Sequence, residues 1–130
     1  MGRRDSTDER WKALKEKITK RDKSGCRLMR VLTAQEYILL QKKAPSKLLY
    51  KLDHAHVWAV GTHPHMCYNE KNVVLLNRYS HECLDNCRNP LTAEPISREV
   101  RNDWWKRIVG SGVYEELEEC SRKYQCKEEI

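Results

Sequence analysis

Two segments that read as β-strands constrain the fold of this chain most, because the other regular segments have helical character. The first, "KLLYKLDHAHVW", alternates loosely between apolar and polar residues, and the second, "NVVLL", is short and β-branched. Gly, Pro and Asn between them indicate a loop, and "RYSHECLDNC" after them indicates a helix that Asn89-Pro90 stops. The local order is therefore strand, long loop, strand, helix.

Apolar residues at helical spacing precede this order. In the first stretch they predict a helix over residues 8–20, and they are Trp11, Leu14 and Ile18. The segment "LTAQEYILLQKKA" predicts a second helix, with Thr33 and Glu36 at the spacing of a capping box. The N-terminal part of the chain is therefore expected to be helical.

Two further helices are predicted near the C-terminus, from "SREVRNDWWKRIVG" and "VYEELEECSRKYQ". Gly110-Ser111-Gly112 separates them. We expect Trp104 and Trp105 to anchor the first of these helices on the core. Because 130 residues suit one domain, the chain is expected to be a single, helix-rich α+β domain.

The charge of the chain is unevenly distributed. Residues 1–51 hold 15 Lys and Arg against 6 Asp and Glu, a net charge of +9, whereas residues 52–130 have a net charge of −3. A basic half suits a polyanion such as DNA, whose phosphates it would neutralise without sequence preference. The alternative for charge alone is a solvated helix face.

No segment approaches the roughly 18 consecutive apolar residues that a membrane span requires, and the N-terminus has no apolar run. We therefore expect no membrane partner and a cytoplasmic location. In that compartment the six cysteines are expected to be reduced or bound to metal.

Polar residues in and around the two strands form an ordered set. Asp53, His54 and His56 stand among apolar neighbours, although polar groups cost free energy to bury unpaired. Asn72 opens "NVVLLNRYSH", which ends at His81. The pattern D-H-x17-N-x8-H resembles the HNH endonuclease family, whose ββα-metal fold is strand, loop, strand, helix. The stretch "RWKALKEKITKRDKSGCRL" also resembles the entry helix and the Arg-Asp-x-x-x-Cys turn of these nucleases.

The resemblance implies a metal-dependent endonuclease that hydrolyses DNA phosphodiester bonds. By position, His54 would be the general base, Asp53 and His81 would be metal ligands, and Asn72 would brace the loop between the strands. Asp85 lies one helical turn after His81 and is a candidate third ligand. The implied cofactor is one divalent ion, Mg²⁺ or Mn²⁺, and the histidine ligand also admits Ni²⁺ or Zn²⁺.

Strand geometry sets a condition on this interpretation. Adjacent residues on a regular strand point to opposite faces, so Asp53 and His54 require the strand to end, twist or bulge there. His56 shares a face with His54, and we expect it to make a supporting hydrogen bond. The alternative is that Asp53 is a turn residue and His54 a satisfied core histidine.

The chain departs from the family at its zinc knuckle. Many HNH nucleases hold a structural zinc with two C-x-x-C pairs, and the corresponding positions here are Cys26 and Met29, then Asn77 and Ser80. The usual knuckle is therefore expected to be absent.

Four cysteines offer a replacement structural zinc site. They are Cys26, Cys67, Cys83 and Cys87. The alternative is that they are buried thiols that pack as small apolar side chains.

The resulting interpretation divides the domain into a basic helical part at 1–50, a ββα-metal core at 51–90 and C-terminal helices at 91–130. Without a recognition helix we expect nicking of DNA with low sequence specificity, or specificity supplied by a protein partner, in an oligomeric state left open. By analogy the origin is a phage or mobile element, in a bacterial or phage-infected cell. Two alternatives remain: a catalytically inactive DNA-binding module on the same fold, and a helical interaction protein.

Overall fold

The computed structural model describes residues 8–128, with side chains as far as residue 123. Over this range the chain is a helix-rich α+β fold with one antiparallel sheet of two strands. The strands are β1, Leu52–His56, and β2, Val73–Asn77. The α-helices are α1 Glu9–Arg21, α2 Arg27–Val31, α3 Ala34–Lys43, α4 Ser46–Leu49, α5 Arg78–Asp85, α6 Arg98–Val109 and α7 Ser111–Glu128. None of the helices in this range is long and apolar enough to cross a lipid bilayer.

The β-hairpin lies between two helical layers. On one face, Val73 and Leu75 pack against the three apolar residues predicted for α1. On the other face, Val74 and Leu76 join a larger core built with residues of α2, α5, α6 and α7. Because both faces of β2 are buried, its sequence is a continuous apolar run rather than an alternating one.

Several sequence predictions are confirmed. The Thr33 hydroxyl accepts from the Glu36 N–H at 3.1 Å, and Glu36 accepts from the Thr33 N–H at 2.8 Å, which is the predicted capping box. Trp104 and Trp105 of α6 are both buried in the larger core. Arg107, one turn further along α6, hydrogen-bonds Glu36 and lowers its pKa to about 2, which ties α6 to α3.

Two boundaries differ from prediction. Residues 47–58 do not form one strand, because Ser46–Leu49 is helical and β1 begins only at Leu52. Pro45 starts that helix: its carbonyl accepts hydrogen bonds from two amides of the first turn, and the buried Leu49 then packs on α3. Near the C-terminus Gly110 alone breaks the helix, at φ +93°, and α7 begins with Ser111.

The turn Arg21–Cys26, which has the spacing Arg-Asp-x-x-x-Cys, covers the outer edge of β2. Three of its side chains contact main-chain groups of alternate β2 residues: Arg21 donates to Val73 O at 2.7 Å, Asp22 accepts from Leu75 N–H at 3.1 Å and Cys26 accepts from Asn77 N–H at 3.2 Å. Asp22 is 1% exposed and also accepts from Arg21 and Arg27. These guanidinium groups offset the cost of burying its carboxylate and hold its pKa below the ordinary value.

Candidate functional site

An open cleft of about 480 Å³ lies between α1 and α5. Four residues singled out in the sequence line it: Asp53, His54, His81 and Asp85. Lys15 of α1 and Arg78 of α5 also line the cleft, so it combines acidic, basic and imidazole groups.

The pairing of β1 is regular through the two central residues of the cleft. Asp53 is opposite Leu76 and His54 is opposite Leu75, with no inserted residue, so no bulge ends or interrupts the strand there. Asp53 contacts α5, whereas His54 contacts α1. The two side chains leave opposite faces of the sheet. Both still line this cleft, because it runs across the outer edge of β1 from one face to the other. The expected end or bulge of the strand at this point is therefore not needed.

The Asp53 carboxylate is held by two groups of α5. Arg78 donates to both of its oxygens, from Nε at 2.7 Å and Nη2 at 2.9 Å, and His81 Nδ1 lies 2.9 Å from Oδ2. Burial disfavours the charged form of Asp53, but these hydrogen bonds outweigh burial and keep its pKa below the ordinary value. Sequence reasoning missed Arg78, although its position three residues before His81 places both on one helix face.

His81 lies between two carboxylates. Its Nδ1 contacts Asp53 and its Nε2 lies 3.2 Å from Asp85 Oδ2. The hydrogen bond to Asp85 is the main cause that raises the pKa of His81; burial opposes it, and the bond to Asp53 adds to the rise. The two nitrogens point to opposite edges of the ring, so Asp85 does not face an ion held between Asp53 and Nδ1.

His54 is oriented by α1. Its Nε2 lies 3.2 Å from the Lys15 carbonyl and 2.9 Å from the Thr19 hydroxyl. A carbonyl only accepts, so Nε2 carries the proton and Nδ1 is the basic nitrogen. Burial lowers the pKa of His54, which favours the neutral ring near pH 7.

His56 makes the supporting contacts expected of it. Its Nε2 lies 3.1 Å from the Cys67 carbonyl, and its ring stacks on Trp11 with centroids 5.3 Å apart. The same Trp11 ring meets His54 edge-on at 6.3 Å, so one side chain of α1 packs against both histidines.

Asn72 lies outside the cleft and holds the loop between the strands. It is fully buried; its Oδ1 accepts from the Trp58 N–H at 2.8 Å, and its Nδ2 donates to the carbonyls of Trp58 and Met66 at 3.1 and 3.2 Å. One amide side chain thus joins the two ends of the loop at the point where it enters β2.

The four cysteines that were candidate zinc ligands do not converge on one site. Among the side chains that the structure describes, no three of His, Cys, Asp or Glu are arranged to hold a metal ion, and this includes Cys26, Cys67, Cys83 and Cys87. Cys26 instead accepts from both the main-chain and side-chain N–H of Asn77, at 3.2 and 3.4 Å.

No family model, no curated protein and no solved structure matches this chain.

Asp53 and His81 are the cleft residues that could hold a divalent ion as two of its octahedral ligands. In the structure Asp53 Oδ2 and His81 Nδ1 are 2.9 Å apart, which is a hydrogen-bond distance. Water and phosphate oxygens would complete such a shell. Arg78 occupies the same carboxylate, so an ion would have to replace that guanidinium contact.

Proposed function

We propose that this chain is a metal-dependent endonuclease of the HNH type, which hydrolyses DNA phosphodiester bonds from a ββα-metal core. The observation that carries the proposal is the convergence of Asp53, His54 and His81 on one open cleft. Their positions on β1 and α5 agree with the order that the resemblance implies, and Asn72 braces the intervening loop.

His54 is proposed to accept the proton of the attacking water at Nδ1. Its lowered pKa keeps the ring neutral near pH 7, and Nε2 stays bound to the Lys15 carbonyl, so the ring is already oriented. Asp53 and His81 would hold the ion. When bound, the ion would offset the negative charge that develops on the phosphate and on the leaving oxygen.

Arg78 allows two proposed states of the cleft, which differ in whether its guanidinium pairs with Asp53 or with a phosphate. Without metal it neutralises Asp53, and a guanidinium released from a carboxylate can pair with a phosphate in the same bidentate way. We propose that Arg78 pairs with the DNA phosphate when the ion binds Asp53. Metal binding and substrate binding would then be coupled.

The basic N-terminal half is proposed to position the strand. Lys15 lies in the cleft itself, and phosphate contacts of this kind carry no sequence information. With one proposed catalytic cleft in each chain, we expect nicking, with specificity low or supplied by a protein partner.

The test is conversion of supercoiled plasmid to open circles with Mg²⁺, Mn²⁺, Ni²⁺ or Zn²⁺, using EDTA as a control. His54→Gln keeps a side chain that can bond the Lys15 carbonyl but cannot serve as the base, and it should abolish nicking without loss of DNA binding. Asp53→Asn should do the same, whereas Asp103→Asn, at an exposed position of α6, should retain wild-type activity.

The alternative outcomes are distinct. A folded protein that binds DNA but nicks with none of the four ions would be the inactive binding module, which the Arg78–Asp53 ion pair favours because it occupies the carboxylate. A folded protein with neither property would be a helical interaction protein.

A further inference from the structure

A second cleft, of about 540 Å³, lies between the loop that follows β1 and the helices α6 and α7. This volume is within the range of small-ligand pockets, roughly 300–1,000 Å³. Its lining includes three aromatic and three basic residues: Trp58, Trp105, Tyr114, Arg98, Arg101 and Arg122.

The aromatic wall is preorganised. Trp58 packs against Tyr114 with ring centroids 4.8 Å apart and planes inclined at 42°. Tyr114 is buried and Trp58 is half-buried, so Trp58 is the ring with area left for a ligand. The backbone of Trp58 is fixed on both sides, because Asn72 bonds its N–H and its carbonyl.

Trp105 adds an unsatisfied donor to this wall. Its side chain is 1% exposed, and its Nε1–H has no hydrogen-bond partner among the residues described. A buried indole N–H normally finds an acceptor. This donor is buried behind the surface of the cleft.

The rim is basic. Arg98 and Arg122 are exposed, and neither these two nor Arg101 forms an ion pair with a residue in the described range. Arg101 donates from Nε to the Leu84 carbonyl at 2.6 Å, which fixes its guanidinium at the cleft. Glu118 is the acidic residue of the lining, so cationic groups prevail.

We infer that this second cleft binds a nucleotide, with the base on Trp58 and the phosphate on Arg98 and Arg122. Aromatic faces beside guanidinium groups match a planar base joined to a phosphate. The nucleotide is either free or one unit of a single strand. This inference does not depend on cleavage chemistry in the first cleft.

The experiment is isothermal titration calorimetry in EDTA with three ligands: dAMP, a short oligothymidylate and inorganic phosphate. We expect saturable binding of a nucleotide ligand, weakened about tenfold or more by the double variant Arg98→Gln/Arg122→Gln, since charge-assisted hydrogen bonds are lost. Trp58→Leu should weaken binding about tenfold through loss of stacking, and Trp58→Phe should keep part of it.

Lys123→Gln is the matched control, because Lys123 follows Arg122 on α7 but lines a different groove, with Glu119. It should leave binding unchanged, and far-UV circular dichroism should show that all variants fold. Strong binding of dAMP would identify a free nucleotide, and strong binding of the oligothymidylate alone would identify a strand.

Three results would overturn the inference. They are no binding of either nucleotide ligand, an equal loss of binding in Lys123→Gln, and binding of inorganic phosphate as tight as that of dAMP.

Discussion

Arg78 is the residue that most affects how the first cleft would take a cation. It donates twice to Asp53, the carboxylate proposed to hold the ion, and thereby competes with any metal. We expect Arg78→Gln to bind Mn²⁺ roughly tenfold more tightly than wild type in the absence of DNA, since one charge-assisted contact no longer opposes binding. Isothermal titration with Mn²⁺ measures this directly.

A control separates competition from a general change in charge. Lys123→Gln removes one positive charge far from Asp53 and should leave Mn²⁺ affinity unchanged. If Arg78→Gln bound Mn²⁺ no better than wild type, the proposed exchange between guanidinium and metal would be wrong.

His81 gives the stability of the protein a definite dependence on pH. Its pKa is raised in the folded state, mainly by Asp85, so the charged ring stabilises the fold. This contribution is complete below the ordinary histidine pKa of about 6.5 and is lost as pH rises through the higher folded value. We expect Asp85→Asn to lower the free energy of unfolding by about 0.5 kcal/mol at about pH 5.5 and by much less at about pH 9.

Urea denaturation at both pH values checks this expectation. In a His81→Gln background the Asp85→Asn change should have no effect at either pH, because the pair no longer exists. A loss of stability that is equal at acidic and alkaline pH would mean that Asp85 acts through packing and not through the charge of His81.

Among the elements, α2, β2 and α5 meet at a junction held by hydrogen bonds. Cys26 contacts Asn77, and Asn77 accepts from the Ser80 N–H at 2.8 Å as the cap of α5. Hydrogen bonds thus join three of the positions that the proposed resemblance to HNH nucleases would match to zinc-binding cysteines. We expect the triple variant Met29→Cys/Asn77→Cys/Ser80→Cys to bind Co²⁺ with the absorption bands of tetrahedral thiolate coordination.

Cys26→Ser in the triple variant should abolish those bands, since only three thiols would remain. A folded triple variant without any Co²⁺ bands would show that the four positions do not converge, and the resemblance would then stop at the cleft residues.

The elements predicted from the sequence differ in how much local information they carry. The apolar residues of α1 recur over several turns, so periodicity alone found this helix. Helices α2 and α4 contain five and four residues, too few for a periodic signal, and the segment around α4 was therefore assigned to a strand. The ends of short elements depend on tertiary packing, here on the buried Leu49.

The candidate site was likewise only partly predictable from the sequence. The resemblance of the D-H-x17-N-x8-H pattern to HNH nucleases singled out Asp53, His54 and His81. It could not find the contact of Arg78 with Asp53, which depends on how α5 packs on β1. It also missed that Asp22 satisfies an amide of β2, a contact between residues 53 positions apart in the sequence.

At the scale of the whole molecule, the basic N-terminal half is expected to make DNA binding depend strongly on salt. Under the proposed function Lys15 would contact a phosphate; it lines the cleft, and its Nζ lies 5.8 Å from the centre of the Trp11 ring. We expect Lys15→Gln to reduce the slope of log affinity against log salt by about one, and to weaken binding equally for unrelated sequences.

Fluorescence anisotropy with two unrelated duplexes over a range of salt concentrations measures this slope. Lys123→Gln should leave it unchanged. A slope that Lys15→Gln does not alter would remove Lys15 from the DNA contact surface.

The side chains that cover the outer edge of β2 affect whether molecules of this protein can associate through that edge. An uncovered edge strand offers its N–H and C=O groups to strands of neighbouring molecules, which is a common start of aggregation. In β2 one outward main-chain group of each of Val73, Leu75 and Asn77 is already bound by a side chain of the Arg21–Cys26 turn. The amides of Leu75 and Asn77 should therefore exchange with solvent as slowly as those of an interior strand, and sheet growth from this side is blocked within the molecule itself.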